Sequence, residues 1–107
     1  MPRGLLYGAK GCSLGDVRDY MVRATGIAFG SFESVYRGGE YFRGSLERGE
    51  MLTLQLNREF SDDIAEEDFP DRDVLLYVDR TTREDALNEL ICGEGSPLEL
   101  LRAQIVV

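Results

Sequence analysis

Carboxylates crowd one segment of this sequence, and their shared charge is the feature most able to attract a ligand or a partner. Positions 59 to 73 hold eight acidic residues and one basic residue, Arg72, in a chain whose formal net charge is −8. This segment, called here the acidic loop, therefore carries seven of the eight net negative charges. Its acids are Glu59, Asp62, Asp63, Glu66, Glu67, Asp68, Asp71 and Asp73.

Three interpretations of the acidic loop remain open. It is a solvated loop whose charge aids solubility, a docking surface for a basic partner, or a divalent-cation site. The cation site is the weakest of the three, because the DxDxDG loop of an EF-hand and its final glutamate are missing. A basic partner would relieve the repulsion among the acids, and concentrated opposite charge would speed its association.

The residue types that the chain lacks exclude several classes of enzyme. The sequence contains no histidine, which removes serine triads, Cys–His pairs, histidine-containing zinc sites and any imidazole base. Cys12, at the start of a predicted helix, has no histidine to activate it, and Cys92 is predicted to lie in the core. Two cysteines this far apart form no CxxC pair and no disulfide framework, which favours a reducing compartment. We expect no catalytic residue, no metal and no cofactor.

The net charge also bears on partners and location. Nucleic acids and anionic membranes bind basic surfaces, so a chain of net charge −8 is not expected to bind either directly. Glycines at positions 8, 11 and 15 precede a predicted helix, but they lack the GK[ST] ending of a Walker loop and the GxGxxG spacing of a dinucleotide loop. The longest apolar run, residues 74–78, is far too short to span a bilayer. These features predict a cytoplasmic protein.

A second segment is rich in tyrosine and arginine. Tyr36 and Tyr41 flank Gly38-Gly39, beside Arg37 and Arg43. Tyrosine and arginine are enriched among the residues that dominate protein–protein binding energy. Aromatic residues on strands also pack into cores, so burial of these tyrosines is the alternative interpretation.

The hydrophobic pattern predicts the elements that position these residues. Apolar residues at helical spacing predict a helix over about 14–25, with Ser13 and Asp16 spaced as a capping box and Gly26 as the stop. Alternation then predicts a hairpin about Gly38-Gly39 and a half-buried strand over residues 51–58. The apolar run at 74–78 is typical of a central strand that is buried on both faces, and residues 5–7 predict a short strand.

The last third of the sequence predicts two more helices. Thr81-Thr82, followed by acidic residues, predicts the start of a second helix that ends at Gly93. Ser96-Pro97-Leu98-Glu99 has the cap, proline and glutamate of a helix start, so a short C-terminal helix to about residue 102 is expected. The 107 residues predict a single α+β domain, with an antiparallel sheet of about four strands and two main helices packed on one face.

Two stretches resemble known proteins. Residues 33–44, Glu-Ser-Val-Tyr-Arg-Gly-Gly-Glu-Tyr-Phe-Arg-Gly, are similar to an aromatic hairpin with paired glycines, and residues 66–71 form an acidic EDFP segment that leads into the strand at 74–78. Over about residues 29–80 the chain resembles immunity proteins of bacterial polymorphic toxin systems, including contact-dependent growth inhibition. The resemblance implies a protein that neutralises a specific toxin by covering it and that has no catalytic residues.

Charge and resemblance together predict a non-enzymatic immunity protein that binds and blocks a cognate toxin domain. Toxins of such systems are commonly nucleases with basic grooves, so an acidic protein can imitate the nucleic acid and exclude it. The expected contacts are Glu66, Glu67, Asp68, Asp71, Asp62 and Asp63 of the acidic loop, with Tyr36 and Tyr41. The alternative is a small regulatory or ligand-binding α+β domain that self-associates. An enzyme that uses carboxylates and a metal ranks last.

Overall fold

Two helices and six strands are present in the described part of the chain. The computed structural model describes residues 1–59 and 63–106. In chain order the elements are β1 (Arg3–Ala9), α1 (Leu14–Thr25), β2 (Gly30–Ser34), β3 (Gly39–Ser45), β4 (Met51–Leu56), β5 (Val74–Thr81), α2 (Glu84–Ile91) and β6 (Glu99–Ile105). One 3₁₀ turn, Val35–Arg37, joins β2 to β3.

The strands form one sheet in the order β2-β3-β4-β5-β1-β6, and each neighbouring pair runs antiparallel. The first strand of the chain therefore lies inside the sheet, between β5 and β6. α1 carries the chain from β1 to the edge strand β2, and α2 carries it from β5 over β1 to the other edge, β6. Neither helix in the described residues is long and apolar enough to cross a membrane.

The side-chain alternation of the central strands directs one apolar set toward the helices. Leu54, Leu76 and Tyr7 lie side by side across β4, β5 and β1, and all three have no exposed area. The helices complete this layer with buried residues at helical spacing: Leu14, Val17 and Met21 of α1, and Leu87 and Ile91 of α2. Burial of this layer supplies the main driving force for folding.

Several predicted elements are confirmed. α1 begins at the Ser13 cap, where both hydrogen bonds of the capping box with Asp16 form, and it ends at Gly26 with a φ of 73°. The hairpin turn contains Gly38 and Gly39 at φ values of 78° and 115°, which residues other than glycine rarely adopt. The α+β class with two helices and an antiparallel sheet is also confirmed, whereas the count of about four strands is wrong.

The predicted C-terminal helix is wrong, because the segment is an edge strand. The Ser96 hydroxyl accepts from the backbone N–H of Leu98 at 3.0 Å, as a cap would, but it also donates to the carbonyl of Ile91 at 2.6 Å. It thereby closes the turn after α2. The chain then extends and pairs with β1, for example Ala103 opposite Leu5. Pairing satisfies backbone groups of β1 that a helix at this position would leave open.

Two smaller predictions around α2 are also wrong. The helix begins at Glu84 rather than at Thr81, since Thr81 ends β5 and its hydroxyl accepts from the backbone N–H of Arg83 at 3.1 Å. Cys92 is exposed at the end of α2 rather than buried in the core. The predicted short strand at residues 5–7 is the centre of the longer strand β1.

Candidate functional site

The face of the sheet opposite the helices carries polar and aromatic side chains. By register, Arg43, Thr53 and Tyr77 form a row across β3, β4 and β5, and Tyr41 lies beside Gln55 in the next row. A cavity of about 760 Å³ lies on this side, which we call the open face. The cavity is lined by the hairpin, the sheet and the acidic loop: Ser34, Tyr36, Arg37, Arg43, Met51, Thr53, Gln55, Glu59, Ala65, Glu66, Tyr77 and Asp79.

A buried asparagine holds the acidic loop against the sheet. The Asn57 Nδ2 donates to the carbonyls of Phe69 and Arg72, each at 2.9 Å, and its Oδ1 accepts from the backbone N–H of Glu66 at 2.9 Å. Asn57 is only 5% exposed, so these bonds satisfy an amide that burial would otherwise penalise. They also fix both ends of the EDFP segment, because Glu66 begins it and Arg72 directly follows it.

Glu66 faces the sheet instead of solvent. Its Oε2 accepts from the Tyr77 hydroxyl at 2.6 Å, and its Oε1 pairs with the Arg102 Nη2 at 2.8 Å. Burial, reinforced by the hydrogen bond to the Glu66 carboxylate, raises the pKa of the Tyr77 hydroxyl. The charge of Glu66 is thus balanced by Arg102, and its side chain shapes the cavity wall.

The other acids of the loop differ in their surroundings. Asp63, Glu67 and Asp68 are exposed. Asp71 is exposed and lies 3.6 Å from the Lys10 Nζ and 3.7 Å from the Arg72 Nε, and ion pairs at such exposed positions contribute little to stability. Asp62, also predicted as a contact, lies outside the described residues.

The hairpin formed by β2 and β3 faces the acidic loop across the cavity. Phe32 stacks on Tyr41 with ring centroids 5.6 Å apart, and the Arg37 guanidinium lies 5.0 Å from the Tyr41 centroid. The Arg37 Nη1 also donates to the Gln55 Oε1 at 2.9 Å. Tyr41 is therefore half-buried within the hairpin. Tyr36, at the hairpin turn, is 72% exposed.

The structure brings most of the predicted contact residues to one side of the sheet. Tyr36 and Glu66 line the same cavity, with Tyr41 on the open face and Glu67 and Asp68 in the adjoining loop. Sequence reasoning missed Thr53, Gln55, Tyr77, Asp79 and Arg102. The strict alternation of β4 was the signal for the first two, since it separates polar residues from leucines. No comparable signal marks Arg102, because the sequence pattern predicts the end of a helix there.

The described side chains of the open face supply hydrogen-bonding and charged groups. Among residues 1–59 and 63–106, no three cysteine, aspartate or glutamate residues converge to hold a metal ion. In comparisons with known proteins, no family model and no curated protein matches the chain.

Proposed function

We propose that this protein is a non-enzymatic immunity protein that binds and blocks a cognate bacterial toxin domain of the nuclease class. The observation that carries the proposal is the clustering of negative charge beside exposed aromatic surface. The acidic loop holds seven of the eight net negative charges, and it borders the same cavity as Tyr36. A partner that covers the open face would contact both.

The two parts of this surface would contribute differently to binding. The exposed acids Asp63, Glu67 and Asp68 would steer a basic toxin and raise its association rate. The affinity would come mainly from the hairpin, where Phe32, Val35 and Tyr36 are 49%, 66% and 72% exposed, because buried aromatic anchors dominate binding energy. Such a protein would act in the cytoplasm, before the toxin reaches its substrate.

The direct test depends on the neighbouring upstream gene: where its product ends in a small basic domain, that domain is purified and mixed with the chain. We expect a stoichiometric complex in calorimetry and loss of the nuclease activity of that domain. A domain with toxic activity that is neither bound nor inhibited contradicts the proposal.

A charge variant tests whether the acidic loop steers the toxin. Glu67→Gln with Asp68→Asn should slow association by up to about tenfold at low salt and flatten its salt dependence. The matched control, Glu89→Gln with Glu94→Gln, removes the same two charges at exposed positions in and just after α2. Equal effects of the two variants would mean that net charge, and not the loop, governs association.

A further inference from the structure

The cavity on the open face carries charges of both signs, which distinguishes it from the acidic loop at its rim. Arg37 and Arg43 lie on the hairpin side, whereas Glu59 and Asp79 come from the loop and from β5. Arg37 is engaged with Gln55 and Tyr41. The Arg43 side chain is exposed and makes no ion pair or hydrogen bond within residues 1–59 and 63–106, and the same holds for the Asp79 carboxylate.

Thr53 places an unused hydroxyl next to that arginine. It lines the cavity, is only 8% exposed and lies between Arg43 and Tyr77 in the row across the sheet. Within the described chain its hydroxyl has no hydrogen-bond partner, whereas the Tyr77 hydroxyl is bound to Glu66. Directly opposed residues of neighbouring strands have Cβ atoms about 5 Å apart. The side chains of Arg43 and Thr53, which have no partner among residues 1–59 and 63–106, therefore start from neighbouring positions on the sheet.

This pair of donors fits a carboxylate. A guanidinium binds carboxylates with strong charge-assisted hydrogen bonds, and a neighbouring hydroxyl can donate a second hydrogen bond to the same carboxylate. A uniformly basic surface would instead place positive charges next to Arg43. The arginine would then lose its hydration without gaining an ionic partner, and this would weaken binding. The Asp79 carboxylate, two residues beyond Tyr77 on β5, is exposed at the same cavity.

We propose, on the basis of the function proposed above, that the toxin inserts a segment whose carboxylate binds Arg43 and the Thr53 hydroxyl and whose neighbouring basic side chain binds Asp79. The basic toxin surface thus contains an acidic group at the point that enters the cavity. Steering by the acidic loop and recognition inside the cavity are separate steps: the first depends on net charge, and the second on the order of charges along the segment.

The direction in which one substitution changes the binding affinity tests this inference. Arg43→Glu should weaken binding of the basic domain by at least about tenfold, mostly through faster dissociation, because it places like charge against the inserted carboxylate. If the segment is basic throughout, the same variant tightens binding and speeds association. The control, Arg48→Glu, makes the same charge change in the exposed turn after β3, outside the cavity, and it should alter association only slightly.

A second variant removes the hydroxyl without changing net charge. Thr53→Val keeps the branched shape and should raise the dissociation rate by about five- to tenfold, whereas Thr53→Ser, which retains the hydroxyl, should stay within about twofold of the wild type. Circular dichroism and thermal unfolding would check that each variant is folded. Unchanged dissociation of Thr53→Val, or tighter binding of Arg43→Glu, overturns the inference and leaves the proposed function standing. A wild-type chain that fails to bind the domain at all overturns the proposed function itself.

Discussion

The two faces of the sheet come from the same strands but carry different side chains. In β4, Leu52 and Leu54 face the helices and are fully buried, whereas Thr53 and Gln55 face the cavity. Because side chains alternate along a strand, one strand serves both layers. The helix-covered face is apolar, whereas the open face carries polar groups beside the buried Leu6 and Leu75. A change on one face is therefore expected to alter a different property from a change on the other.

The same contrast separates two largely buried glutamates. Glu50, just before β4, receives two hydrogen bonds of 2.8 Å from Arg83 and one of 2.9 Å from Thr81. These bonds join the turn between β3 and β4 to the end of β5 and the start of α2. Glu66 instead joins the acidic loop to the open face through Tyr77 and Arg102. We infer that Glu50 secures the fold and that Glu66 shapes the cavity.

The largest loss of stability is expected for substitutions in the apolar layer between the helices and the sheet. Leu76→Ala removes a fully buried side chain and should lower the free energy of unfolding by about 3–5 kcal/mol, through lost burial and the cavity that remains. Tyr36→Ala, at an exposed position of the hairpin, should change it by less than about 0.5 kcal/mol. Urea unfolding followed by circular dichroism measures both. Similar losses for the two variants would refute the division between the faces.

Removing the ion pair between Glu50 and Arg83 is expected to lower the free energy of unfolding slightly less than Leu76→Ala does. Glu50→Gln removes the buried carboxylate that pairs with Arg83 and should destabilise the protein by about 3 kcal/mol. The control Glu47→Gln alters an exposed carboxylate 3.9 Å from the Arg83 Nη1 and should cost less than about 0.5 kcal/mol. A small loss for Glu50→Gln would show that the pair's attraction barely exceeds its desolvation cost.

The stability due to Glu50 should also depend on pH. The hydrogen bond from Arg83 holds the pKa of the Glu50 carboxyl below its ordinary value of 4.5. A group whose folded-state pKa is lowered contributes fully above its unfolded pKa and loses that contribution as the pH falls through the folded value. The difference in unfolding free energy between wild type and Glu50→Gln should stay constant from neutral pH to about 5 and shrink below about 4.5. A constant difference down to pH 3 contradicts this assignment.

Local signals in the sequence were sufficient for much of the helix-covered layer. The Ser13 cap and Gly26 stop define α1 through contacts within a few residues, and the paired glycines at 38 and 39 define the hairpin turn. The apolar run at 74–78 identified β5 because burial on a central strand needs apolar side chains. In each case the stabilising interaction is local, or it requires only hydrophobicity.

The open face could not be predicted, because its contacts join residues far apart in sequence. Glu66 bonds to Arg102, which lies 36 positions away, and the helix-like signal at Ser96 was outweighed by the pairing of β6 with β1. The sequence shows that the acidic loop is charged, but the attachment of the loop to the sheet depends on Asn57. The alternating pattern over residues 51–58 predicts only that Asn57 is on the polar side of the strand. The composition predicts the negative charge of the candidate site, but the tertiary contacts determine which of the charged side chains are exposed.

The smallest effect is expected from removing one hydroxyl beneath the acidic loop. Tyr77→Phe deletes the donor to Glu66 and should destabilise the protein by about 1 kcal/mol, since Glu66 keeps Arg102 and the loop keeps its Asn57 anchor. Tyr20→Phe, which removes a long 3.4 Å bond to the Leu90 carbonyl, is the matched control and should cost less. Urea unfolding gives both values, and hydrogen exchange at the Glu66 amide reports whether the loop stays attached. We expect the loss of one hydrogen bond in a partner-binding site to cost much less stability than the loss of the bonds that hold α2 to the sheet. A loss for Tyr77→Phe as large as that for Glu50→Gln would therefore show that the open face also stabilises the fold.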